Sequence, residues 1–239
     1  MSFQTLADFE TLEVISAKGK NNAVQLFKAR ADKKVVCVKA FTSRKLPLVQ
    51  EALNEAKLLL KAASHHPNIC QMFDCFIEEV DSKFRFGIVM EHFEDGDLED
   101  EIKKRKQTNL AWDDAQLLEI FGGLINALAA LQEQAICHRD LKPQNIFHGG
   151  GSFKIGDFGV SKHELFSSST NTLAGTPIYF SPLCAKAYRA AALFGEDHGV
   201  QHNMYKSDVF SLGLTFLRMA GLASIRGLNG QGQDRKSVV

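Results

Sequence analysis

Up to about residue 90, apolar and polar residues alternate in short runs, and this period of two predicts β-strands. Turn-forming Lys, Gly, Asn and Asp residues separate the first three runs, which indicates an antiparallel meander. Two more runs of the same kind follow after an interval. The five predicted strands are 9–16, 23–30, 34–41, 69–77 and 84–90.

Between the third and fourth predicted strands the apolar spacing becomes helical. From Val49 to Ala63 apolar residues recur every three or four positions, and Pro47 is a start signal. The N-terminal part of the chain is therefore expected to be a five-stranded sheet that carries one helix.

Beyond Gly96 the spacing is mostly helical. The residues from 221 to 239 are rich in Gly, Gln and charge, and we expect them to be disordered. Ser207 and Asp208 stand where the N-cap of the last predicted helix belongs. The predicted helices are 97–106, which is charged, 117–131, which is amphipathic, and 209–220, which is apolar on nearly every side and expected to be buried.

Composition narrows the class of protein. The chain has 239 residues, of which 45% are hydrophobic, so it can form a sizeable core. Its 28 basic residues balance its 28 acidic ones, which argues against a nucleic-acid or membrane-surface binder. The stretch 117–131 is interrupted by Glu119 and Asn126, and we expect it to be too short to span a bilayer.

The five cysteines are odd in number and form no CxxC pair, which favours a reduced, intracellular protein. The first residues include Asp8 and Glu10 and lack the pattern of a signal peptide. We expect a cytoplasmic location, with a nuclear one as the alternative.

The most informative string is HRDLKPQN at residues 138–145. Twelve residues after its last member comes Asp157-Phe158-Gly159, at the end of a short predicted strand. A carboxylate and an amide five residues apart, followed by a second carboxylate, suit phosphoryl transfer, in which positioning and charge neutralisation do most of the work. The pair of motifs resembles the catalytic and metal-binding loops of the eukaryotic protein kinase family, Ser/Thr type, with a likeness to NimA-related kinases.

The resemblance implies a role for each matching residue. Asp140 would accept the proton of the substrate hydroxyl, and Lys142 would neutralise the γ-phosphate of ATP. Asn145 and Asp157 would hold Mg²⁺. His138, Arg139 and Asp208 would be architectural, with Asp208 bound to the backbone of the catalytic loop.

Lys39 lies in an apolar run that resembles the strand carrying the phosphate-binding lysine of the family. A cation flanked by core residues needs a buried partner. On a helical wheel Glu55 lies about 100° from the centre of the apolar stripe, and Glu51 about 140° away, so Glu55 is the predicted partner.

The glycine-rich loop departs from the family pattern. Its glycine positions fall on Ala17, Gly19 and Asn22, and its valine on Val24, so only the middle glycine and the valine remain. Glycine lets backbone N–H groups approach phosphate closely, and the changes are therefore expected to reduce nucleotide affinity without abolishing it.

The resemblance also implies an adenine site. Met90 would be the gatekeeper, the backbone of Glu91 and Phe93 would pair with adenine, and Asp97 would meet the ribose. The ceiling and floor would consist of Ile15, Val24, Cys37 and Phe147.

Residues 161–172 resemble an activation segment, and a phosphate added within Ser167–Thr172, by another kinase or by the chain itself, could order it. Thr170 and Thr172 are the preferred sites. Lys142 together with Thr176 implies Ser/Thr acceptors in protein substrates. A polar loop that is never modified is the plainer alternative.

The expected fold is a bilobal, kinase-like α+β domain over 9–220. It would have a small antiparallel β lobe at 9–90, a hinge at 91–96 and a partial helical lobe at 97–220, with the last helices of that lobe missing. Leu183 replaces a glutamate typical of the family. The rival to an active kinase is a pseudokinase that binds nucleotide or protein partners without turnover.

Overall fold

The computed structural model describes the chain in two compact units, Met1–Glu94 and Asp95–Val239. The described residues are 5–18, 24–31, 34–47, 49–50, 53, 56, 60, 66–158, 162–163, 173–194, 202–221 and 223–230.

The N-terminal unit is built on a five-stranded sheet with the order β1-β2-β3-β5-β4. Every neighbouring pair of strands is antiparallel. The meander predicted for the first three strands is thus confirmed. The strands are β1 (Glu10–Lys18), β2 (Val24–Ala31), β3 (Lys34–Ser43), β4 (Met72–Val80) and β5 (Lys83–Glu91).

Side chains of β3 alternate between the two faces of this sheet. Val36, Val38 and Ala40 lie in the core, so Cys37 and Lys39 belong to the opposite face. Phe9 just before β1, Phe27 of β2 and Phe76 of β4 complete the core on the first face. The core cluster is Phe9, Phe27, Ala29, Val36, Val38, Ala40, Phe76 and Val89.

The helix predicted over 49–63 is described at positions 49, 50, 53, 56 and 60, all of which are helical. Val49 and Ala56 are buried, as the apolar stripe requires. The remaining positions of this stretch lie outside the described residues.

The C-terminal unit is mainly helical. Two short antiparallel pairs, β6 with β9 and β7 with β8, lie among its helices. An antiparallel sheet unit followed by a mainly helical unit agrees with the expected fold class. The elements are α1 (Leu98–Thr108), α2 (Asp114–Glu133), β6 (Ile136–Cys137), β7 (Ile146–Gly149), β8 (Ser152–Ile155), β9 (Lys162–His163), α3 (Pro182–Phe194) and α4 (Met204–Gly221).

Helix α2 is longer than its apolar pattern predicts, because Asp113 and Gln116 form a capping box ahead of the apolar residues. With 20 residues it is long and apolar enough, by those two measures alone, to cross a membrane. The expectation that this stretch is too short is therefore wrong. Within its unit the helix acts as a core element, since Leu124 and Leu131 are fully buried.

Helix α4 begins earlier than expected. Its first turn is capped by Asn203, whose side-chain oxygen accepts from the N–H of Lys206 at 2.9 Å. Ser207 and Asp208 lie inside the helix, so the predicted cap is wrong. The expectation of burial on nearly every side is also wrong, because Val209 and Leu217 are more than half exposed.

Part of the predicted disordered tail is folded. Residues 223–230 turn back on the C-terminal unit, and Ile225 and Asn229 are almost fully buried. The burial of these two side chains orders a stretch whose Gly-rich, polar composition is typical of a linker. Residues 222 and 231–239 lie outside the described residues.

Replacement of Gly87 by alanine is expected to destabilise the N-terminal unit. Gly87 pairs with Phe76 across β4 and β5, and a Cβ there would lie 2.2 Å from Cζ of the buried Phe76 ring. Overpacking of this kind costs about 1–3 kcal/mol. Urea denaturation should show a lower midpoint for Gly87→Ala.

The matched control for that substitution is Gly122→Ala in α2, where an added Cβ meets no atom within 4 Å. Because alanine is the better helix former, this control should unfold at an equal or higher urea concentration. An unchanged midpoint for Gly87→Ala would show that the ring yields without cost.

Candidate active site

The β7–β8 hairpin brings the two predicted metal-binding residues to its own open end. Ile146 pairs with Ile155, and the N–H of Gly156 donates to the carbonyl of Asn145 at 2.9 Å. Asn145 and Asp157 thus flank the same end of the hairpin. Asp157 has a φ of 56°, a left-handed backbone conformation that is uncommon for residues other than glycine and often marks functional sites.

His138 joins the catalytic loop to the loop of Asp157. The ring is fully buried, and it accepts a bond at Nδ1 from the N–H of Asp140 at 3.3 Å. Its Nε2 lies 2.9 Å from the carbonyl of Gly156, which assigns the proton to Nε2. The ring also packs against Phe158, with 5.2 Å between centroids. His138 is architectural, as the resemblance implies.

Asp208 anchors the catalytic loop to α4. Its carboxylate accepts from the N–H of His138 at 2.7 Å and from the N–H of Arg139 at 2.8 Å. The predicted backbone contact is confirmed. Arg139 has a φ of 70°, so these bonds hold a backbone conformation that a non-glycine residue rarely adopts. Burial raises the pKa of Asp208, against the opposing effect of the two N–H donors and nearby His138.

Asp140, Lys142 and Thr176 form a closed triangle of hydrogen bonds. Lys142 Nζ donates to Asp140 Oδ2 and to Thr176 Oγ1, both at 2.7 Å, and Thr176 Oγ1 donates to Asp140 Oδ1 at 2.8 Å. Asn145 adds donations from Nδ2 to Asp140 Oδ2 at 3.1 Å and to the Asp140 carbonyl at 2.8 Å. The carboxylate is therefore fixed in direction by three different side chains.

Gly175 allows the backbone before Thr176 to approach the catalytic loop. Its φ is 114°, and a Cβ at this position would lie 2.4 Å from the carbonyl oxygen of Arg139. Only glycine tolerates both the conformation and the proximity. The Gly-Thr sequence thus brings the Thr176 hydroxyl to Asp140.

The start of the C-terminal unit is tied to the β7–β8 hairpin. His148 donates its N–H to the carbonyl of Gly96 at 2.9 Å, and Asp97 forms a β-bridge with Phe147. Asp97 also caps α1 by accepting from the N–H of Asp100 at 2.9 Å. Its carboxylate therefore has a structural contact in addition to the ribose contact that the resemblance implies.

In the N-terminal unit the predicted nucleotide-binding residues share part of one sheet face. Cys37 pairs with Met90 and Lys39 with Ile88 across β3 and β5. The N–H of Glu91 donates to the carbonyl of Gln71 at 2.9 Å, which fixes the end of β5. Phe93 is half-buried just beyond that end.

Several predicted residues lie outside the described part of the chain. Glu55, Gly19 and the activation-segment positions Ser167–Thr172 belong to this group. Ile15 and Val24 are described in their strands by backbone alone, with Val24 in register with Phe41. The pairing of Lys39 with Glu55 stays a prediction.

The donors at the hairpin end fit a magnesium ion in their chemistry. Asn145 and Asp157 offer an amide oxygen and a carboxylate, the hard oxygen ligands that Mg²⁺ prefers. The Asn145 amide nitrogen is engaged by Asp140, which orients the amide oxygen to the opposite side. Two protein ligands leave room for the water and phosphate oxygens that complete the coordination of Mg²⁺ in phosphate-binding sites.

Sequence reasoning missed two side chains that support this site. Ser211 on α4 donates to the carbonyl of Tyr179 at 2.7 Å, and Asn229 donates to the carbonyls of Pro177 and Ile178 at 2.8 and 3.2 Å. Ser211 lies near Asp208 in the string 207–213, which predicts a buried helix and not this contact, and Asn229 lies in no recognisable motif. The local sequence feature that corresponds to this contact is the spacing of four residues between Ile225 and Asn229, both of which are buried.

An antiparallel sheet unit, a helical unit and the two loops at Asp140 and Asp157 define a protein kinase domain. The sequence matches the protein kinase domain family over residues 11–236. The chain belongs to the eukaryotic protein kinase family, and NimA-related serine/threonine kinases are among its curated relatives.

Three of these relatives indicate the degree of likeness. A probable serine/threonine-protein kinase nek3 of Dictyostelium discoideum is 31% identical over 90% of this chain and 18% of its own length. A probable serine/threonine-protein kinase nek2 of the same organism is 32% identical over 88% of this chain and 48% of its own length. The serine/threonine-protein kinase Nek8 of Danio rerio is 33% identical over 90% of this chain and 28% of its own length. The chain thus spans less than half the length of these relatives.

Asp208→Asn is expected to destabilise the C-terminal unit. The substitution faces one amide NH₂ group toward two buried N–H donors, leaving at least one of them without an acceptor. Leaving a buried N–H without an acceptor costs about 1–3 kcal/mol. Chemical denaturation followed by circular dichroism should give a lower midpoint, whereas Asp114→Asn on the exposed start of α2 should match the wild-type chain. Equal midpoints for both variants would contradict the anchoring role.

Proposed function

We propose that this chain transfers the γ-phosphoryl group of ATP, with Mg²⁺, to Ser or Thr hydroxyls of protein substrates. The observation that carries the proposal is the triangle of Asp140, Lys142 and Thr176, with its three contacts at 2.7–2.8 Å. Membership of the protein kinase family supports the same reaction class.

Asp140 is the proposed base. A carboxylate has about four lone-pair sites, and the contacts from Lys142, Thr176 and Asn145 use three of them. The remaining site lies on Oδ1, where the acceptor hydroxyl can donate. Because three side chains fix the carboxylate, the proton is taken up at a defined position, as general-base catalysis requires.

Lys142 provides the positive charge next to this carboxylate. Its side chain is 20% exposed, so the ammonium group can contact a phosphate while it remains within 2.7 Å of Asp140. Mg²⁺ would be held by Asn145 and Asp157, and when bound it would neutralise phosphate charge. The proposed nucleotide contacts of the N-terminal unit are Lys39, Met90, Glu91 and Phe93, and those of the C-terminal unit are Asp97 and Phe147.

Thr176 supports specificity for hydroxyl amino acids. Its hydroxyl contacts both Asp140 and Lys142, and thus lies beside the proposed position of the acceptor oxygen.

We further propose that phosphorylation within Ser167–Thr172 regulates the chain, and that the protein is cytoplasmic. Its five buried cysteine thiols support the second point.

Asp140→Asn should abolish most phosphate transfer, because the amide cannot accept the hydroxyl proton. With labelled ATP, Mg²⁺ and dephosphorylated β-casein, the variant should lose roughly 10²–10⁴-fold in kcat. Asp81→Asn is the matched control, since Asp81 is exposed in the β4–β5 turn and its φ of 51° suits asparagine.

Equal transfer by the wild-type chain and Asp140→Asn would refute the assigned base. The pseudokinase alternative predicts a different outcome, in which ATP with Mg²⁺ raises the melting temperature of the wild-type chain but no label is transferred. The absence of two loop glycines, at Ala17 and Asn22, is the observation that favours that alternative.

A further inference from the structure

The segment that follows α4 packs against the turn that follows Thr176. Ile225 is 2% exposed and joins Tyr179 and Leu214 in one apolar cluster. Asn229, four residues later, is 1% exposed. Arg189 on α3 donates to the carbonyl of Gly230, the last described residue of the segment. Residues 223–230, here called the return segment, are therefore held on both sides of Asn229.

Asn229 directs its amide nitrogen at two consecutive carbonyl groups. Nδ2 donates to the carbonyl of Pro177 at 2.8 Å and to that of Ile178 at 3.2 Å. The turn's own backbone bonds run from the Tyr179 N–H to the Thr176 carbonyl and from the Phe180 N–H to the Pro177 carbonyl, so the Pro177 carbonyl accepts from both Phe180 and Asn229. The Ile178 carbonyl thus receives its side-chain donor from the return segment.

This turn begins at a residue that touches the proposed base. Thr176 Oγ1 lies 2.8 Å from Asp140 Oδ1, and Pro177–Tyr179 form the 3₁₀ turn directly after it. Consecutive Cα atoms are about 3.8 Å apart, so a protein substrate whose hydroxyl reaches Asp140 must place its neighbouring residues beside this turn. The position of the turn therefore sets where the polypeptide around the acceptor can lie.

We propose that Asn229 is a positioning residue for the protein substrate, acting through the carbonyls of Pro177 and Ile178. The inference rests on the proposed function and names the surface that receives the substrate. Asparagine suits this task because one short side chain supplies two amide hydrogens, whereas aspartate of the same shape supplies none.

Asn229→Asp is the direct test. The variant places carboxylate oxygens against two carbonyl oxygens, so the turn should move. With dephosphorylated β-casein as substrate, the KM for casein should rise at least tenfold, while the KM for ATP should stay within twofold of wild type. Asn126→Asp makes the same chemical change on the exposed face of α2 and should leave both values unchanged.

The readout separates positioning from simple loss of folded protein. A smaller folded fraction lowers the apparent kcat and leaves both KM values unchanged, and that result would overturn the inference. Unchanged kinetics would overturn it as well. If Asn229→Asp does not fold, Asn229→Ser, which keeps one donor, decides the matter: a casein KM raised about threefold supports the inference, and an unchanged one refutes it.

Failure of the proposed function gives a distinct result. If the wild-type chain transfers no phosphate, the catalytic proposal has failed, and casein binding replaces KM as the measurement. A Kd for casein raised at least tenfold by Asn229→Asp then supports the positioning role. Equal Kd values, or no casein binding by the wild-type chain, overturn it.

Discussion

The catalytic loop depends on one buried carboxylate. Asp208 accepts hydrogen bonds from two consecutive backbone N–H groups, those of His138 and Arg139, in a segment about 70 residues away along the chain. Hydrogen bonds to a charged group contribute about 1.5–3 kcal/mol each, and a buried N–H without an acceptor costs a similar amount. This contact fixes the unusual backbone of Arg139 and the position of His138 within it.

Further contacts spread outward from that anchor. His138 Nε2 donates to the carbonyl of Gly156, and this bond fixes the residue directly before Asp157. Two residues after His138, the carboxylate of Asp140 is oriented by Lys142 from the same loop and by Thr176. Helix α4 contributes a second time through Ser211, which holds the Tyr179 carbonyl at 2.7 Å. One helix thus positions both the loop that carries Asp140 and the turn that follows Thr176.

Residue patterns predict the local features of this unit, whereas the long-range contact of Asp208 with the catalytic loop is predicted only through the family resemblance. The strings at 138–145 and 157–159 are recognisable because the chemistry needs several residues in a short stretch, and the β-strands are recognisable by their period of two. Asp208 looked like a helix cap because residues of its type favour that position. The cap is Asn203, and the carboxylate instead serves a loop remote in sequence. The sequence also does not predict the role of Asn229, because its hydrogen-bond partners are 51 and 52 residues away along the chain.

The ion pair between Glu99 on α1 and Arg218 on α4 adds little to stability. Arg218 Nη2 lies 2.5 Å from Glu99 Oε1, yet Glu99 Oε2 and Arg218 Nε are buried and have no hydrogen-bond partner among the described residues. Incompletely satisfied buried charges recover little of their desolvation cost. The apolar surroundings are evident at neighbouring Tyr179, whose pKa burial raises to about 12. An apolar pair of similar size would pack there at no such cost, whereas Glu99 and Arg218 join α1, which starts at Asp97, to α4, which carries Asp208, through a charged contact.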